Sequence, residues 1–484
     1  MITGQDLRSL LPLEILAGGT LITLLGIAVR RSHTLAFIST LVTLAAAFSS
    51  VLFGWPQAPH VIDDLFRVDP FGAYFQALII FSSFIITIFS YISLRNFFPG
   101  KRKEEYYLLL LLAALGTATM VISTHLISFF VGLEILNISL YALISYYRER
   151  PKAIEAGIKY LILAAMSSAI LLFGMALIYT TTGTLSFRGL GTVSVHLPSA
   201  SVVMLLGGTG LMLTGIGFKL ALAPFHLWAP DVYEGASSPV SAFIATVSKG
   251  AMIAVLWRFF SMAGLYGFPN IILVITVIAL LSMLVGNLLA LRQNNLKRML
   301  AYSSIAHFGY LLVAVIAGGA MGEEAVIYYL TAYILTLLAA FGLVTVLSTS
   351  DEEAMDIRNY NGLFWRRPIL ATVFSVVLLS LAGIPLTAGF MGKFFVLSAG
   401  VEKGDWLLVL VLVISSVIGL FYYLRFLFAM MKTDEGGSGS PGFAAFLSSR
   451  ASTGGVALLI ILGASILWLG SFPDWLMIII RKSM

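Results

Sequence analysis

Repeated apolar runs, each long enough to cross a lipid bilayer as a helix, determine what this chain can fold into. A helix needs about 20 apolar residues to span the hydrocarbon core. The mean hydropathy is +0.98, and only 11% of the residues are charged, against about a quarter in soluble domains. The sequence therefore predicts an all-α membrane protein, a single polytopic membrane domain over residues 1–484. About 14 transmembrane helices are predicted, at residues 12–29, 35–54, 70–94, 106–124, 126–147, 153–180, 202–223, 238–263, 270–290, 299–318, 324–348, 368–398, 405–431 and 453–480.

The lysines and arginines test these spans, because cytoplasmic loops of membrane proteins carry an excess of them. If the N-terminus lies outside, seventeen of the 29 fall in cytoplasmic loops, six fall outside and six fall within spans. Both termini are therefore predicted to be periplasmic. No small-residue cleavage site precedes the first apolar run, so the first helix is expected to remain as an anchor. The net charge of +6 follows from the loop bias and requires no nucleic-acid partner.

Charged residues inside a span are candidates for function, because each costs about 2.5 to 3.5 kcal/mol at the bilayer centre on insertion scales. The residues predicted to lie on an ion path are Glu134, Lys159, Lys219, Lys249 and Lys393. A static ion-pair partner is the alternative role for Glu134. Lys159 lies only about two turns into its helix, so its ammonium can alternatively reach the interface.

Two histidines are candidate proton relays, because imidazole titrates near neutral pH. They are His226 and His307. Their alternative role is that of buried histidines that only satisfy hydrogen bonds within the bundle.

Prolines predict that two of the helices are broken. Pro224 follows Lys219, and Pro385 precedes Lys393; proline cannot donate a main-chain hydrogen bond, so it frees carbonyl groups inside the membrane. Glu134 and Lys219 are 85 positions apart, and His307 and Lys393 are 86 apart. This spacing predicts two inverted five-helix repeats, helices 4–8 and helices 9–13, each with one broken helix.

The predicted organisation has four parts. Residues 12–105 form the N-terminal helices 1–3, residues 106–263 the first repeat, residues 270–431 the second repeat, and residues 453–480 the last helix. The segment 433–450 is rich in glycine and serine and is predicted to be a flexible loop with no assigned role.

The chemistry of the buried residues favours protons as the transported ion. Lysines repel Na⁺ when charged and supply no oxygen ligands. Burial disfavours the charged form of a lysine, so a buried lysine can release its proton near neutral pH. A neighbouring glutamate opposes that release, and Glu134 is therefore predicted to act as a switch on Lys219.

Three segments resemble the antiporter-like subunits of respiratory complex I, the NADH-quinone oxidoreductase. They are the stretch 219–236, KLALAPFHLWAPDVYEGA, the stretch 295–310, NLKRMLAYSSIAHFGY, and the helix around Glu134. The stretches 362–370 and 381–394 are similar to the bacterial subunit N branch of that family. The resemblance covers almost the whole chain.

The resemblance implies a proton-translocating subunit in a bacterial inner membrane, with Glu134, Lys159, Lys219, Lys249 and Lys393 on the proton path. It implies no cofactor in this chain, with flavin, iron-sulfur clusters and quinone bound by partner subunits. Because the chain has no cysteine, it cannot ligate an iron-sulfur cluster through thiolates. The alternatives are a subunit of a multisubunit cation/proton antiporter and an inert membrane scaffold.

Reporter fusions test the predicted topology. Fusions near residues 103 and 150 should read cytoplasmic, because both lie in loops rich in Lys and Arg. A fusion near Arg67 is the control and should read periplasmic. Cytoplasmic labelling of the C-terminus would contradict the arrangement of fourteen helices.

Overall fold

The computed structural model describes residues 3–55, 59–97, 103–193, 198–349, 353–432 and 452–483. Its α-helices are α1 Gly4–Val29, α2 His33–Phe53, α3 Pro70–Phe97, α4 Glu105–Ile122, α5 Leu126–Ile144, α6 Pro151–Thr182, α7 Phe187–Val193, α8 Ser199–Leu220, α9 Trp228–Gly235, α10 Ser238–Phe243, α11 Lys249–Met262, α12 Pro269–Ala290, α13 Leu296–Ala317, α14 Gly319–Leu347, α15 Leu363–Arg366, α16 Pro368–Ala382, α17 Ala388–Lys403, α18 Trp406–Met431, α19 Thr453–Ser471 and α20 Pro473–Ser483. A π-helical segment, Ile244–Ser248, joins α10 to α11. The strands β1 His60–Ile62 and β2 Phe66–Val68 form an antiparallel hairpin.

The described part of the chain contains thirteen helices that are long and apolar enough to cross a membrane. The half-helices α16 (15 residues) and α17 (16 residues) lie on either side of the second break and are each too short to be counted among these thirteen. The predicted all-α membrane fold with about 14 transmembrane helices is thereby confirmed. The inverted repeats remain a prediction, and the segment 433–450 lies outside the described residues.

Two helix ends differ from the sequence prediction. Helix α1 begins at Gly4, eight residues before the predicted start, because Thr3 and Asp6 form a capping box that the apolar run does not include. The last predicted span, 453–480, is in fact divided, since α19 ends at Ser471 and α20 begins at Pro473. Proline is well suited to the first turn of a helix, where its missing N–H is not needed.

Both predicted breaks are present. Pro224 lies between α8 and α9, and Pro385 lies between α16 and α17. A break leaves carbonyl groups without a helical donor, and inside a membrane these groups need another partner. The carbonyl of Phe218, near the end of α8, accepts from the main-chain N–H of Ala221 (2.9 Å) and also from the indole Nε1 of Trp228 on α9 (2.9 Å).

Helix α5, which carries Glu134, lies against α4 at a pair of glycines. A Cβ atom on Gly116 would lie 2.6 Å from the carbonyl oxygen of Gly132, and a Cβ atom on Gly132 would lie 2.8 Å from that of Gly116. Small residues let the backbones of membrane helices approach closely. This contact holds α5 in place on the side of α4.

A buried ion pair connects the hairpin to α11. Both guanidinium Nη atoms of Arg258 donate to the carboxylate of Asp69 (2.9 and 2.7 Å), as does the main-chain N–H of Gly72. Nε of Arg67 lies 2.9 Å from the same carboxylate as an ion-pair partner. Burial raises the pKa of Asp69, but the Arg258 charge and these hydrogen bonds outweigh it and hold that pKa below its ordinary value. Arg258 therefore forms a buried ion pair and does not serve as an interfacial anchor.

Asp69→Asn should strongly destabilise the protein, because it leaves the guanidinium of Arg258 buried without a counter-charge, at a cost of about 3 to 5 kcal/mol. Glu105→Gln is the control, since it breaks the exposed Arg31–Glu105 pair and should change stability by less than about 1 kcal/mol. Thermal unfolding in detergent measures both.

The same ion pair has a defined pH dependence. Because the pKa of Asp69 is lowered in the folded protein, its stabilisation is present above the unfolded value of about 3.9 and is lost as the pH falls through the folded value. A loss of this stabilisation between pH 7 and pH 5 would contradict the assignment.

Candidate proton-transfer site

Lys219 lies in the last turn of α8 and is only 3% exposed. Its Nζ atom donates to Oδ1 of Asn137 on α5 (2.6 Å) and to the hydroxyl oxygen of Tyr160 on α6 (2.8 Å). The ring of Tyr160 packs against Trp228 at the start of α9, with centroids 5.1 Å apart. Residues from α5, from α6 and from both halves of the broken helix, α8 and α9, therefore lie around the Lys219 ammonium group.

Glu134 and Lys219 are linked through an amide group. Among the described residues the two charged groups form no direct ion pair. Instead, Oε1 of Glu134 accepts from Nδ2 of Asn137 (3.2 Å) and from the hydroxyl of Ser168 (2.5 Å). Because Asn137 accepts from Lys219 at its other end, its amide connects the cation to the carboxylate.

Lys249 begins α11, directly after the π-helical segment, and is fully buried. Its Nζ atom donates to the hydroxyl of Ser304 on α13 (2.7 Å). The same atom lies 4.8 Å from the ring centroid of Phe308 and 5.6 Å from that of Tyr233, distances at which an aromatic face stabilises a cation. The described residues place no carboxylate in contact with it.

Lys393 lies on α17, after the second break, and is 5% exposed. Its Nζ atom donates to the main-chain carbonyls of Leu381 (3.0 Å) and Ala382 (2.8 Å), the last residues of α16, and to the hydroxyl of Ser416 on α18 (2.9 Å). A cation at a helix C-terminus is favoured by the helix dipole. The carbonyl groups freed at the second break therefore accept hydrogen bonds from Lys393, which lies on the helix that follows it.

His307 lies at the centre of a group of tyrosines. Its Nδ1 atom is 2.6 Å from the hydroxyl of Tyr329, and its Nε2 atom is 3.1 Å from that of Tyr423. The Tyr423 hydroxyl is also 2.5 Å from that of Ser303, which precedes Ser304, the partner of Lys249, on α13. A cavity of about 10 Å³ adjoins His307 and Tyr333, about the space of one water molecule.

Two predicted residues lie apart from these buried groups. Lys159 forms ion pairs with Asp231 and Glu155 (2.7 Å each), and 42% of its side chain is exposed. His226 lies in the break between α8 and α9, and no described residue partners its Nδ1 atom. The structure brings neither of them into hydrogen-bond contact with Lys219, Lys249 or Lys393.

The sequence analysis missed the uncharged partners of these groups. Asn137 follows Glu134 by three positions, Ser304 precedes His307 by three, and Tyr160 directly follows Lys159. Residues three apart share a helix face, so that spacing was an available signal for Asn137 and Ser304. No local signal distinguishes Ser416 from the other serines of α18.

The fold and these buried groups define a polytopic membrane protein with ionisable residues on broken helices, the architecture of ion translocators. The family model described as NADH:quinone oxidoreductase/Mrp antiporter, TM, matches residues 123–419. The NADH-quinone oxidoreductase subunit N of Ectopseudomonas mendocina (strain ymp) is 47% identical over 440 residues, which cover 89% of this chain and 88% of that protein. The chain therefore belongs to the NADH:quinone oxidoreductase/Mrp antiporter family of membrane proteins.

Solved structures share this fold over nearly the whole chain. A chain of respiratory complex I from Thermus thermophilus with bound aureothin is 31% identical, with a TM-score of 0.82, covering 98% of this chain and 100% of that one. A chain of the archaeal membrane-bound sulfane sulfur reductase is 25% identical, with a TM-score of 0.81, covering 98% and 96%. A chain of the Mrp complex from Dietzia sp. DQ12-45-1b shares the fold at 21% identity, with a TM-score of 0.84, covering 99% and 97%.

Gly383→Ala should displace Lys393 and impair proton translocation. Gly383 has φ +83°, and a Cβ atom there would lie 2.8 Å from Cδ and 3.0 Å from Nζ of Lys393. Gly404→Ala is the matched control, because Gly404 has φ +81° and open space around it. Both substitutions carry a similar backbone strain of about 1 to 2 kcal/mol. Proton uptake by vesicles containing the assembled complex measures the difference, and equal losses in both variants would show that backbone strain alone is responsible.

Proposed function

We propose that this chain acts as subunit N of NADH-quinone oxidoreductase and translocates protons while partner subunits pass electrons from NADH to quinone. Its family and its 47% identity to a subunit N support this function. The observation that carries the proton-moving role is the burial of three lysines on or beside interrupted helices, Lys219, Lys249 and Lys393, without direct contact to a carboxylate among the described residues.

In this proposal the proton path comprises Glu134, Lys219, Lys249 and Lys393, with His307 as a relay. A lysine that is permanently paired with a carboxylate keeps its proton, whereas a buried lysine with neutral partners is able to lose it and regain it. Glu134 influences the charge on Lys219 through the amide of Asn137. Lys159, in the ion-pair group with Asp231, and His226, in the break, remain predictions as members of the path.

The redox reaction belongs to the partner subunits in this proposal. The chain has no cysteine and therefore no thiolate for an iron-sulfur cluster; flavin and quinone are likewise assigned to other subunits of the complex. The chain is a multi-pass membrane protein, and the excess of cytoplasmic lysines and arginines supports an inner-membrane orientation with both termini in the periplasm.

The second candidate is a subunit of a multisubunit cation/proton antiporter, which the fold shared with the Mrp complex favours. The two functions differ in what purifies with the chain. Subunits that contain flavin and iron-sulfur clusters support the oxidoreductase, whereas only small membrane subunits support the antiporter. An inert scaffold is disfavoured, because ammonium groups that are buried without a carboxylate partner are costly in a membrane and add nothing to a purely structural role.

Lys219→Arg should abolish proton translocation almost as completely as Lys219→Ala. The guanidinium group stays protonated above pH 12 and cannot release a proton, although it keeps the positive charge. A purely structural cation predicts the opposite order, with the arginine variant nearly normal. NADH-driven proton uptake in reconstituted vesicles, normalised to assembled complex, distinguishes the two.

Variants at two other positions complete this experiment. Glu134→Asp should retain part of the activity, because the carboxylate survives with a shorter reach, and Glu134→Ala should retain less. Lys152→Arg, at a lysine whose side chain is 71% exposed, is the control and should translocate protons normally. Normal translocation by Lys219→Arg would rule out Lys219 as a proton carrier.

A further inference from the structure

Each of the three lysines that are buried without a carboxylate partner has one hydroxyl group as a hydrogen-bond partner. Lys219 donates to Tyr160 (2.8 Å), Lys249 donates to Ser304 (2.7 Å), and Lys393 donates to Ser416 (2.9 Å). The remaining partners differ from site to site: an amide oxygen at the first, aromatic rings at the second and main-chain carbonyls at the third. An aromatic ring lies within 6 Å of each ammonium group, and the hydroxyl is the one kind of hydrogen-bonding group that all three sites share.

These three hydroxyls differ from most others in the protein. Serine and threonine hydroxyls in membrane helices usually donate to a carbonyl of the preceding turn, and Ser82, Thr209 and Ser375 all do so here. Tyr160, Ser304 and Ser416 accept from their lysines. Within the described residues Tyr160 and Ser416 form no other hydrogen bond, whereas Ser304 also lies within hydrogen-bond reach of the hydroxyls of Tyr233 and Tyr333. The hydroxyl protons of Tyr160 and Ser416 are therefore free to bond to water.

We propose that Tyr160, Ser304 and Ser416 are relay hydroxyls through which Lys219, Lys249 and Lys393 exchange protons. An ammonium group has three N–H donors and no acceptor, whereas a neutral amine has two donors and one lone pair. A carbonyl or amide oxygen only accepts, but a hydroxyl both donates and accepts. Each lysine can therefore lose its proton and keep every partner if the hydroxyl reverses its hydrogen bond.

The transfer step itself produces this reversal. One N–H proton of the ammonium moves to the hydroxyl oxygen, while the proton already on that oxygen moves to a water molecule. The amine is left neutral, the hydroxyl is again neutral, and one proton has been passed to water. The hydroxyl now holds the former lysine proton and donates it back to the amine as a hydrogen bond.

Two other lysines have no such hydroxyl partner among the described residues. Lys159 is bound by the carboxylates of Asp231 and Glu155. Lys297 is bound by the carboxylate of Glu353 and by main-chain carbonyls. None of these partners can donate to a neutral amine, so neither lysine can exchange a proton through a hydroxyl in this way.

Variants of Ser416 test the relay, which rests on the proposed function. The complete complex is purified, placed in vesicles and supplied with NADH and quinone, and proton uptake is measured per NADH oxidised. Ser416→Ala should lose most of the translocation that Lys393→Met loses, and Ser416→Thr should restore it, because threonine keeps the hydroxyl. Ser415→Ala is the matched control: Ser415 is the adjacent buried serine, and its hydroxyl has no partner in the described residues.

The possible outcomes separate the relay from the function on which it rests. Translocation by Ser416→Ala at the wild-type level, with loss in Lys393→Met, would overturn the relay and leave the proposed function standing. Equal failure of the alanine and threonine variants would also overturn it, because the hydroxyl would then not be the group that matters. Normal translocation by Lys393→Met would instead refute the role of Lys393 itself. The same pair of substitutions at Ser304 provides a second, independent test of the relay.

Discussion

Main-chain polar groups inside a membrane need hydrogen-bond partners within the protein or in a water-filled cavity, and this requirement determines how the buried charges are held. A lysine near the bilayer centre costs about 2.5 to 3.5 kcal/mol even on the milder scales. The second break offsets this cost directly, because the carbonyls freed at the end of α16 accept from Lys393. The first break differs: the main-chain N–H groups of Ala221 and Leu222 bond to the last carbonyls of α8, and Lys219 finds its acceptors on neighbouring helices.

The two halves of the chain place related residues at a constant spacing. The pairs Glu134/His307, Asn137/Tyr310 and Tyr160/Tyr333 are each separated by 173 positions. In the first half Lys219 bonds to Asn137 and Tyr160. In the second half Nζ of Lys393 lies 5.5 Å from the ring of Tyr310, and the ring of His307 lies 5.4 Å from that of Tyr333. This constant spacing supports the predicted repeats. The two lysines nevertheless differ in position, because Lys219 precedes the first break and Lys393 follows the second break.

The sequence was sufficient to predict the membrane fold and the burial of Lys219, Lys249 and Lys393, because both leave strong local signals. Apolar runs gave the crossings, and prolines beside Lys219 and Lys393 gave the breaks. The uncharged partners leave weaker signals. Ser416 is brought to Lys393 from another helix, and only the tertiary packing determines that meeting. The division of the last predicted span at Pro473 was also not predicted, because apolar residues continue on both sides of that proline.

The amide of Asn137 explains how Glu134 can influence Lys219 without fixing its charge. At an effective dielectric constant of about 20, two opposite charges about 4 Å apart attract each other by about 4 kcal/mol, and the attraction falls in inverse proportion to the distance. Inserting an amide between the ammonium and the carboxylate lengthens that distance and weakens the attraction. The Asn137 oxygen faces the lysine and its nitrogen faces the glutamate, so the amide dipole is aligned with both charges. A direct Glu134–Lys219 ion pair would instead keep the proton on the lysine, and in the proposed function the separation maintained by Asn137 is what lets Lys219 exchange its proton.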